Sequence, residues 1–294
     1  LNLNGVLPVY KERGYTSNDV VSKLRGIFKM KKIGHTGTLD PDAEGVLPVC
    51  LGKATKLISI LNDTDKAYSC TCRLGITTDT EDMSGNVLSE VSCKDITEET
   101  IRKAAEGFIG RYMQIPPMYS AKKVNGKKLY ELARQGIVIE RKPCEVEIKS
   151  LVIRDTDLIN GRFSFDTECS KGTYIRSLCR DIGEALGCGA SMESLLRTGA
   201  CGFKLNECRR LSEIEELAKS GDIEDKIVSI EKMFSDLGEI RADKECDKNI
   251  RNGNIIRACV PDGRYRVYLS DGTFAAVYEV KKSRAVLKGY FLTD

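Results

Sequence analysis

The stretch "GHTGTLDPDAEGVLPVCLGKATKL", residues 34–57, decides how the rest of the chain is read. It holds the only histidine, His35, two aspartates on either side of Pro41, and Gly34, Gly37 and Gly45 ahead of an apolar, strand-like run. Proline drives the residue before it out of the α region, so Asp40 is expected to be extended at a turn. The glycines permit unusual backbone angles and a close approach by a ligand. An aspartate held in this way can be a turn former, an N-cap or a nucleophile, and the stretch alone leaves all three open. It is not a phosphate loop, because Gly52-Lys53-Ala54-Thr55 lacks the glycine spacing before its lysine. It is not half of an aspartic-protease dyad either, since no second carboxylate motif mirrors it.

Outward from this loop, the chain reads as alternating helices and strands without a regular βαβ rhythm, which favours an α+β class. Thr16 to Lys29 is predicted to be a helix capped by Thr16 or Ser17, with Val20, Val21, Leu24, Ile27 and Phe28 on one face. Ala67 to Leu74 is predicted to be a strand. Thr97 to Gly110 is a second helix, with acids in its first turn. Leu129 to Arg134 is a short helix closed by Gly136, and Glu145 to Ile153 and Arg162 to Glu168 are strands. Tyr174 to Leu186 is helical, and Ser212-Glu213-Ile214-Glu215 reads as a capping box opening another helix. "RYRVYLSDGTFAAVYEV" is a β-hairpin turning at Asp271-Gly272. Strand-rich sequence after Phe234 predicts a separate small β unit from about residue 239 that touches the main body.

Bulk composition narrows the class. With 294 residues, 41% hydrophobic and 30% charged, the chain can bury a large core and is neither disordered nor membrane-spanning. No apolar run approaches the roughly 18 residues of a bilayer span. No basic-then-apolar leader precedes Leu1, so the expected compartment is the cytoplasm. The twelve cysteines are scattered, without a C-x-x-C pair, and beside one histidine they predict reduced, mostly buried thiols rather than zinc ligands. Cys70 and Cys72 are expected on one face of a strand. The net charge of +3 is unremarkable, but Tyr119 to Lys149 carries eight lysines and arginines against four glutamates, which suits a polyanion or a solvated face equally.

Taken together, five blocks resemble one family. "GHTGTLDPDAEGVLPVCLGKATK" resembles the catalytic motif of the TruB-type tRNA pseudouridine-55 synthases. "GVLPVYKERGYTSNDVV" resembles their N-terminal motif, and "KAYSCTCRLGITTDTEDMSG" their tyrosine strand with the loop after it. "IPPMYSAKKVNGKKLYELARQG" resembles the inserted thumb, and "CSKGTYIRSLCRDIGEALGCGA" the arginine motif. The blocks stand in family order over roughly the first 200 residues.

The resemblance implies a pseudouridine-synthase fold, with a mixed, mainly antiparallel central sheet flanked by helices and a small C-terminal PUA-like domain. Its expected limits are 1–236 for the catalytic domain, with a thumb at about 115–143, and 239–294 for the PUA-like domain. The implied reaction breaks the bond from uracil N1 to the ribose anomeric carbon, turns the base and rejoins it through C5, with no metal or organic cofactor. Asp40 aligns with the essential aspartate, which attacks the anomeric carbon or stabilises charge there after base flipping; covalent, oxocarbenium and glycal routes stay open. Arg176 aligns with the arginine that pairs with it, and Tyr68 with the active-site tyrosine. Tyr174 and Leu195 align with residues lining the base pocket. His35 is implied to hold flipped RNA rather than to act as a base. Lys11 and Asp82 are RNA-binding or scaffold candidates, and Lys122, Lys123, Lys127 and Lys128 are placed to meet T-arm phosphates.

The implied partner is tRNA, held by its T-arm and, through the C-terminal domain, by its acceptor stem, with a monomer expected and no membrane. The chain departs from the family pattern at Asp42, Glu44, Glu12 and Leu196; the two acids beside Asp40 either raise its pKa or point to solvent. Two other readings remain. One is a guide-RNA-dependent dyskerin-type synthase, against which the thumb and the short tail argue. The other is an RNA-binding, tRNA-folding protein in which catalysis is secondary.

Overall fold

The computed structural model describes residues 3–120, 122–124 and 126–292, with the backbone alone for Lys123 and Lys128. Seven strands form the body of the main sheet: β1 (Gly5–Lys11), β2 (Glu44–Leu51), β3 (Lys66–Leu74), β4 (Gly110–Gln114), β5 (Cys144–Asp157), β6 (Arg162–Cys169) and β7 (Ala190–Ala200). Their spatial order is β1-β2-β7-β3-β6-β5-β4, and the short strands Ile33–His35 and Phe203–Lys204 extend β2 and β7. All neighbours are antiparallel except β2 and β7, which meet in parallel at Glu44–Leu196 and Gly45–Arg197. The sheet is therefore mixed and mainly antiparallel. That single parallel contact lays the start of β2, just after the Asp40 loop, against β7.

Helices cover the sheet where apolar residues recur at helical spacing. α1 (Ser17–Phe28) begins at Thr16, whose hydroxyl accepts from the Asp19 amide at 3.0 Å while the Asp19 carboxylate accepts from the Thr16 amide at 2.8 Å. Its buried Val20, Val21, Leu24 and Phe28 pack with Leu7, Val9, Leu47 and Leu51, each burial stabilising by about 1.5–3 kcal/mol. α2 (Glu98–Glu106) and α3 (Ile175–Ala185) share a second core with β3, β5 and β6, built on Ile101, Phe163, Phe165, Leu178 and Ile182. Cys70 and Cys72 point into it from one face of β3, and all twelve cysteines are free thiols. Between β4 and β5, a two-strand ribbon (Lys123–Val124 with Lys127–Lys128) leads into the helix Leu129–Ala133.

Some expected boundaries move. The second predicted helix stops at Glu106, because Gly110, at φ +99°, already opens β4. β5 runs on to Asp157, since its pairing with β6 continues through two register shifts. The predicted capping box at Ser212 is displaced: α4 (Leu211–Ser220) is entered from Arg210, whose amide donates to the Glu213 carboxylate at 2.6 Å, and Ser212 lies inside the first turn.

A second sheet follows: β8 (Gly238–Arg241), β9 (Ile256–Arg257), β10 (Gly263–Tyr268), β11 (Phe274–Lys281) and β12 (Arg284–Tyr290), in the order β8-β10-β11-β12-β9, with α5 (Lys244–Arg251) beside it. The predicted hairpin is present, its loop closed by Asp271 accepting from the Thr273 amide at 2.8 Å. One face buries Ile250, Val267 and Tyr278. Val277 and Phe291 instead join Phe234 and residues of β1 and β2 in a shared core, so the two sheets touch. No helix among the described residues is long and apolar enough to cross a membrane.

Candidate active site

The Asp40 loop is fixed from three sides. The hydroxyl of Ser17, the first residue of α1, accepts from the Leu39 amide at 2.9 Å and donates to the Leu39 carbonyl at 3.2 Å. The turn itself closes where the Ala43 amide donates to the Asp40 carbonyl at 3.1 Å. Beneath it, the fully buried Lys11 donates from Nζ to the carbonyls of Ala43 (2.6 Å), Pro41 (3.1 Å) and Glu12 (3.2 Å). All three donors of that ammonium are thus occupied, and burial pushes Lys11 down to about 8. Gly45 completes the frame: at φ +106°, a Cβ there would lie 2.2 Å from the Arg197 carbonyl oxygen, so only glycine allows β2 to meet β7.

Against this loop stands Arg176, in the first turn of α3. Its helix start is set by Gln114 on β4, whose side-chain amide accepts from the Tyr174 amide at 2.8 Å and donates to the Tyr174 carbonyl at 3.1 Å. The buried guanidinium is fully engaged. Nε lies 3.1 Å from Asp40 Oδ2, and Nη2 donates to Asp40 Oδ1 at 3.3 Å and to the Tyr119 carbonyl at 2.8 Å. Nη1 donates to the Thr80 carbonyl at 3.0 Å and lies 3.5 Å from Asp82 Oδ2. Five N–H groups face five acceptors, which fixes the fork in one orientation. Asp82 is itself held by the Thr80 hydroxyl at 2.7 Å and the Ser84 amide at 3.0 Å.

Charge at Asp40 is a balance. Burial raises its pKa above the ordinary value, Arg176 and Lys11 pull it down, and Asp82 and Asp42 push it up, with a net rise. The two unusual acids therefore separate. Asp42 contributes weakly from an exposed position where it faces Arg13 at 3.4 Å, whereas Glu44 turns away and accepts from the Tyr10 hydroxyl at 3.2 Å.

Asp40 opens into a cavity of about 850 Å³, lined also by His35, Tyr68, Asp82, Tyr174, Arg176 and Leu195. This is large enough for a nucleotide-sized ligand. Seven of the twelve residues singled out in the sequence thus converge here. Tyr68 is buried on β3, and burial raises its phenol pKa against the pull of Arg197, so it is un-ionised at neutral pH. His35 is lowered by burial and by Arg197, so its ring is neutral, and its buried Nδ1 has no hydrogen-bond partner among the described residues.

Three of the other five lie elsewhere. Lys11 is under the loop. Lys122 lies 2.5 Å from Cys144 Sγ and Lys127 is exposed, neither at the cavity wall. The side chains of Lys123 and Lys128 fall outside the described residues. From the segment expected to form the thumb, Tyr119, Ser120, Tyr130 and Arg134 line the cavity.

Sequence reading missed Arg197. It is 1% exposed, donates from Nε to the Val46 carbonyl at 2.7 Å and from Nη2 to the Gly37 carbonyl at 3.1 Å, and clasps the loop to β7 beside Tyr68. The signal was available: in a strand, Arg197 shares a face with Leu195, already placed at the pocket.

A model described as the N-terminal domain of TruB family pseudouridylate synthase matches residues 25–175, and one described as the tRNA pseudouridylate synthase B C-terminal domain matches residues 176–239. A tRNA pseudouridine synthase B from Lachnoclostridium phytofermentans is 49% identical, over 96% of this chain and 97% of its own length. Its counterpart from Halalkalibacterium halodurans is 42% identical, over 97% and 95%. Among solved structures, a chain of an H/ACA RNP bound to a substrate RNA containing 2'-deoxyuridine aligns with a TM-score of 0.72 at 21% identity, covering 98% of this chain and 85% of that one. A chain of a Cbf5-Nop10-Gar1 complex aligns at 0.73 and 23%, covering 98% and 84%. At that identity these two share the pseudouridine-synthase fold, and the much higher identity to the first two relatives makes this chain a member of the TruB family of pseudouridylate synthases.

Proposed function

We propose that the chain isomerises uridine 55 in the T loop of tRNA to pseudouridine, with Asp40 acting at the ribose anomeric carbon of a flipped nucleotide. The observation that carries this reading is the Asp40–Arg176 fork, with contacts of 3.1 and 3.3 Å, on the wall of a cavity that also presents Tyr68 and Leu195. Arg176 favours the ionised carboxylate against the cost of burial, leaving an anion ready either to bond to the anomeric carbon or to stabilise positive charge as the bond to N1 breaks. The detached uracil turns between Tyr68, Tyr174 and Leu195, C5 bonds to the anomeric carbon, and the proton leaving C5 is balanced by one gained at N1. Tyr68, being un-ionised, serves as a stacking wall and hydrogen-bond donor rather than as a base. His35, neutral and with an open Nδ1, meets the RNA as a polar ring and not as a cation.

Lys11 is assigned to the scaffold, since its donors are spent on the loop. Residues 1–236 make up the catalytic domain, with the thumb at about 115–143, and 239–294 the PUA-like unit that meets the acceptor stem. Incubation with an unmodified tRNA transcript, followed by chemical labelling and primer extension, tests the reading. Product at uridine 55 that disappears with Asp40→Asn is the expected result. RNA that is bound yet unchanged would replace it with the tRNA-folding alternative.

A further inference from the structure

Glu81 lies in the loop between β3 and α2, beside Asp82, and none of the motif readings gave it a role. It adopts φ +63°, a left-handed conformation that non-glycine residues rarely take, and it is 8% exposed. A buried carboxylate in such a conformation persists only where the surroundings over-determine it. Here they do. Oε2 accepts from the Ser177 hydroxyl at 2.6 Å, and Oε1 accepts from Arg180 Nη1 in a short ion pair. Its carbonyl accepts from the Met192 amide at 3.0 Å, and the Met83 amide donates back to the Met192 carbonyl at 3.0 Å.

These contacts reach both halves of the site. Ser177 follows Arg176 directly on α3. Thr80 and Asp82, the neighbours of Glu81 in the loop, hold Arg176 Nη1. The same carboxylate also senses the thumb at both ends. Arg180 donates to the Ile115 carbonyl at 3.1 Å. Arg141, 3.9 Å from Glu81 Oε1, donates to the Pro116 carbonyl at 3.0 Å. Asp181 occupies another edge of the Arg180 guanidinium at 2.6 Å and Glu184 lies 3.8 Å from its Nε, so Arg180 faces three acids.

We propose that Glu81 is a positioning residue that couples the base of the thumb to the Asp40–Arg176 pair. Resting on the isomerase reading above, this deepens it: RNA contact that moves the thumb reaches the reacting carboxylate through Arg141 or Arg180, then Glu81, then the Thr80–Asp82 loop and Arg176. The groups facing Asp40 are Arg176, Asp82, Lys11 and Asp42, so displacement of Arg176 leaves two acids and one lysine acting on it.

The test compares wild type, Glu81→Gln, Ser177→Ala and Asp40→Asn on unmodified tRNA transcript. Wild-type activity and its loss in Asp40→Asn decide the isomerase reading separately. Glu81→Gln is expected to lower the single-turnover rate at saturating RNA between about ten- and a hundred-fold while the Kd stays within about threefold. The acid limb of that rate shifts to higher pH, because Arg176 no longer pulls the Asp40 carboxyl down. Ser177→Ala keeps the charge and the Arg180 pair, and moves the rate and the limb in the same direction by less; it carries the test if Glu81→Gln does not fold. The proposal is overturned if both measurable variants keep the wild-type rate and limb. It is equally overturned if the rate falls while the limb stays in place, which is what a purely structural role gives.

Discussion

Replacing Arg176 with lysine keeps the positive charge and removes the fork, which isolates what the geometry contributes. In the wild type, five donors meet Asp40 twice, the Tyr119 and Thr80 carbonyls, and Asp82. A lysine brings three donors to one point and cannot span both Asp40 and the two carbonyls, so about two acceptors lose their partner. Hydrogen bonds to a charged group contribute about 1.5–3 kcal/mol each. The Asp40 side chain is 39% exposed and recruits water, which discounts its share, so the expected loss is about 2.5–4 kcal/mol. At about 1.4 kcal/mol per decade, the single-turnover rate falls about a hundred- to a thousand-fold. The assay is pseudouridine formation on unmodified transcript at saturating enzyme, with RNA affinity and melting temperature measured alongside. A rate within about threefold of wild type, where Asp40→Asn is inactive, would refute the reasoning.

Other substitutions probe the frame around that pair. Lys11→Met strands the carbonyls of Ala43 and Glu12, while Pro41 keeps the Gly14 amide at 2.9 Å; a loss of about 2–4 kcal/mol is expected in denaturant unfolding, and an unchanged midpoint would contradict it. Lys11 is depressed to about 8, so between pH 8 and 10.5 the unfolded chain binds the extra proton, and the wild-type stability advantage over Lys11→Met grows across that window. Asp82→Asn removes a charge that raises Asp40, so the acid limb of activity, which in wild type lies above the ordinary aspartate value of 3.8, moves to lower pH; movement upward would count against the assignment. His35→Ala is expected to weaken tRNA binding more than the saturated single-turnover rate, and a rate loss as severe as that of Asp40→Asn would restore the histidine to the chemistry.

What the sequence disclosed followed from how local each constraint is. α1 was legible because Thr16 and Asp19 cap it within four residues, whereas Asp40, which its own stretch left open as turn former, N-cap or nucleophile, was singled out through its motif. Arg176 was legible through its motif, since a lone arginine on a helix carries no mark of its partners. Strand alternation offered the face of Arg197 but not its contacts, which, like the burial of Glu81, depend on chain crossings far apart in sequence: the parallel meeting of β7 with β2, and the approach of α3 to the loop after β3. The thumb lysines are a different case: they were expected to meet RNA phosphates, not to line the cavity. A run of positive charge announces an affinity for anions, but it does not say which side chains face the cavity, and there Tyr119, Tyr130 and Arg134 do. The misplaced cap at Ser212 arose because Glu213 reaches back to whichever amide the incoming chain presents, and that was Arg210.

The rings of Phe234, Phe274 and Phe291, with centroids 6.1 and 5.6 Å apart, join the second sheet to the underside of β1 and β2. A cut in the chain near residue 237 would therefore strip an apolar lining from the first sheet, including Val6, Val46 and Cys50, and wet it. The change of composition after Phe234 marks a boundary in architecture but not in cooperativity. Heating should melt both sheets in one calorimetric transition, with no plateau in which the C-terminal strands are lost and the catalytic sheet survives.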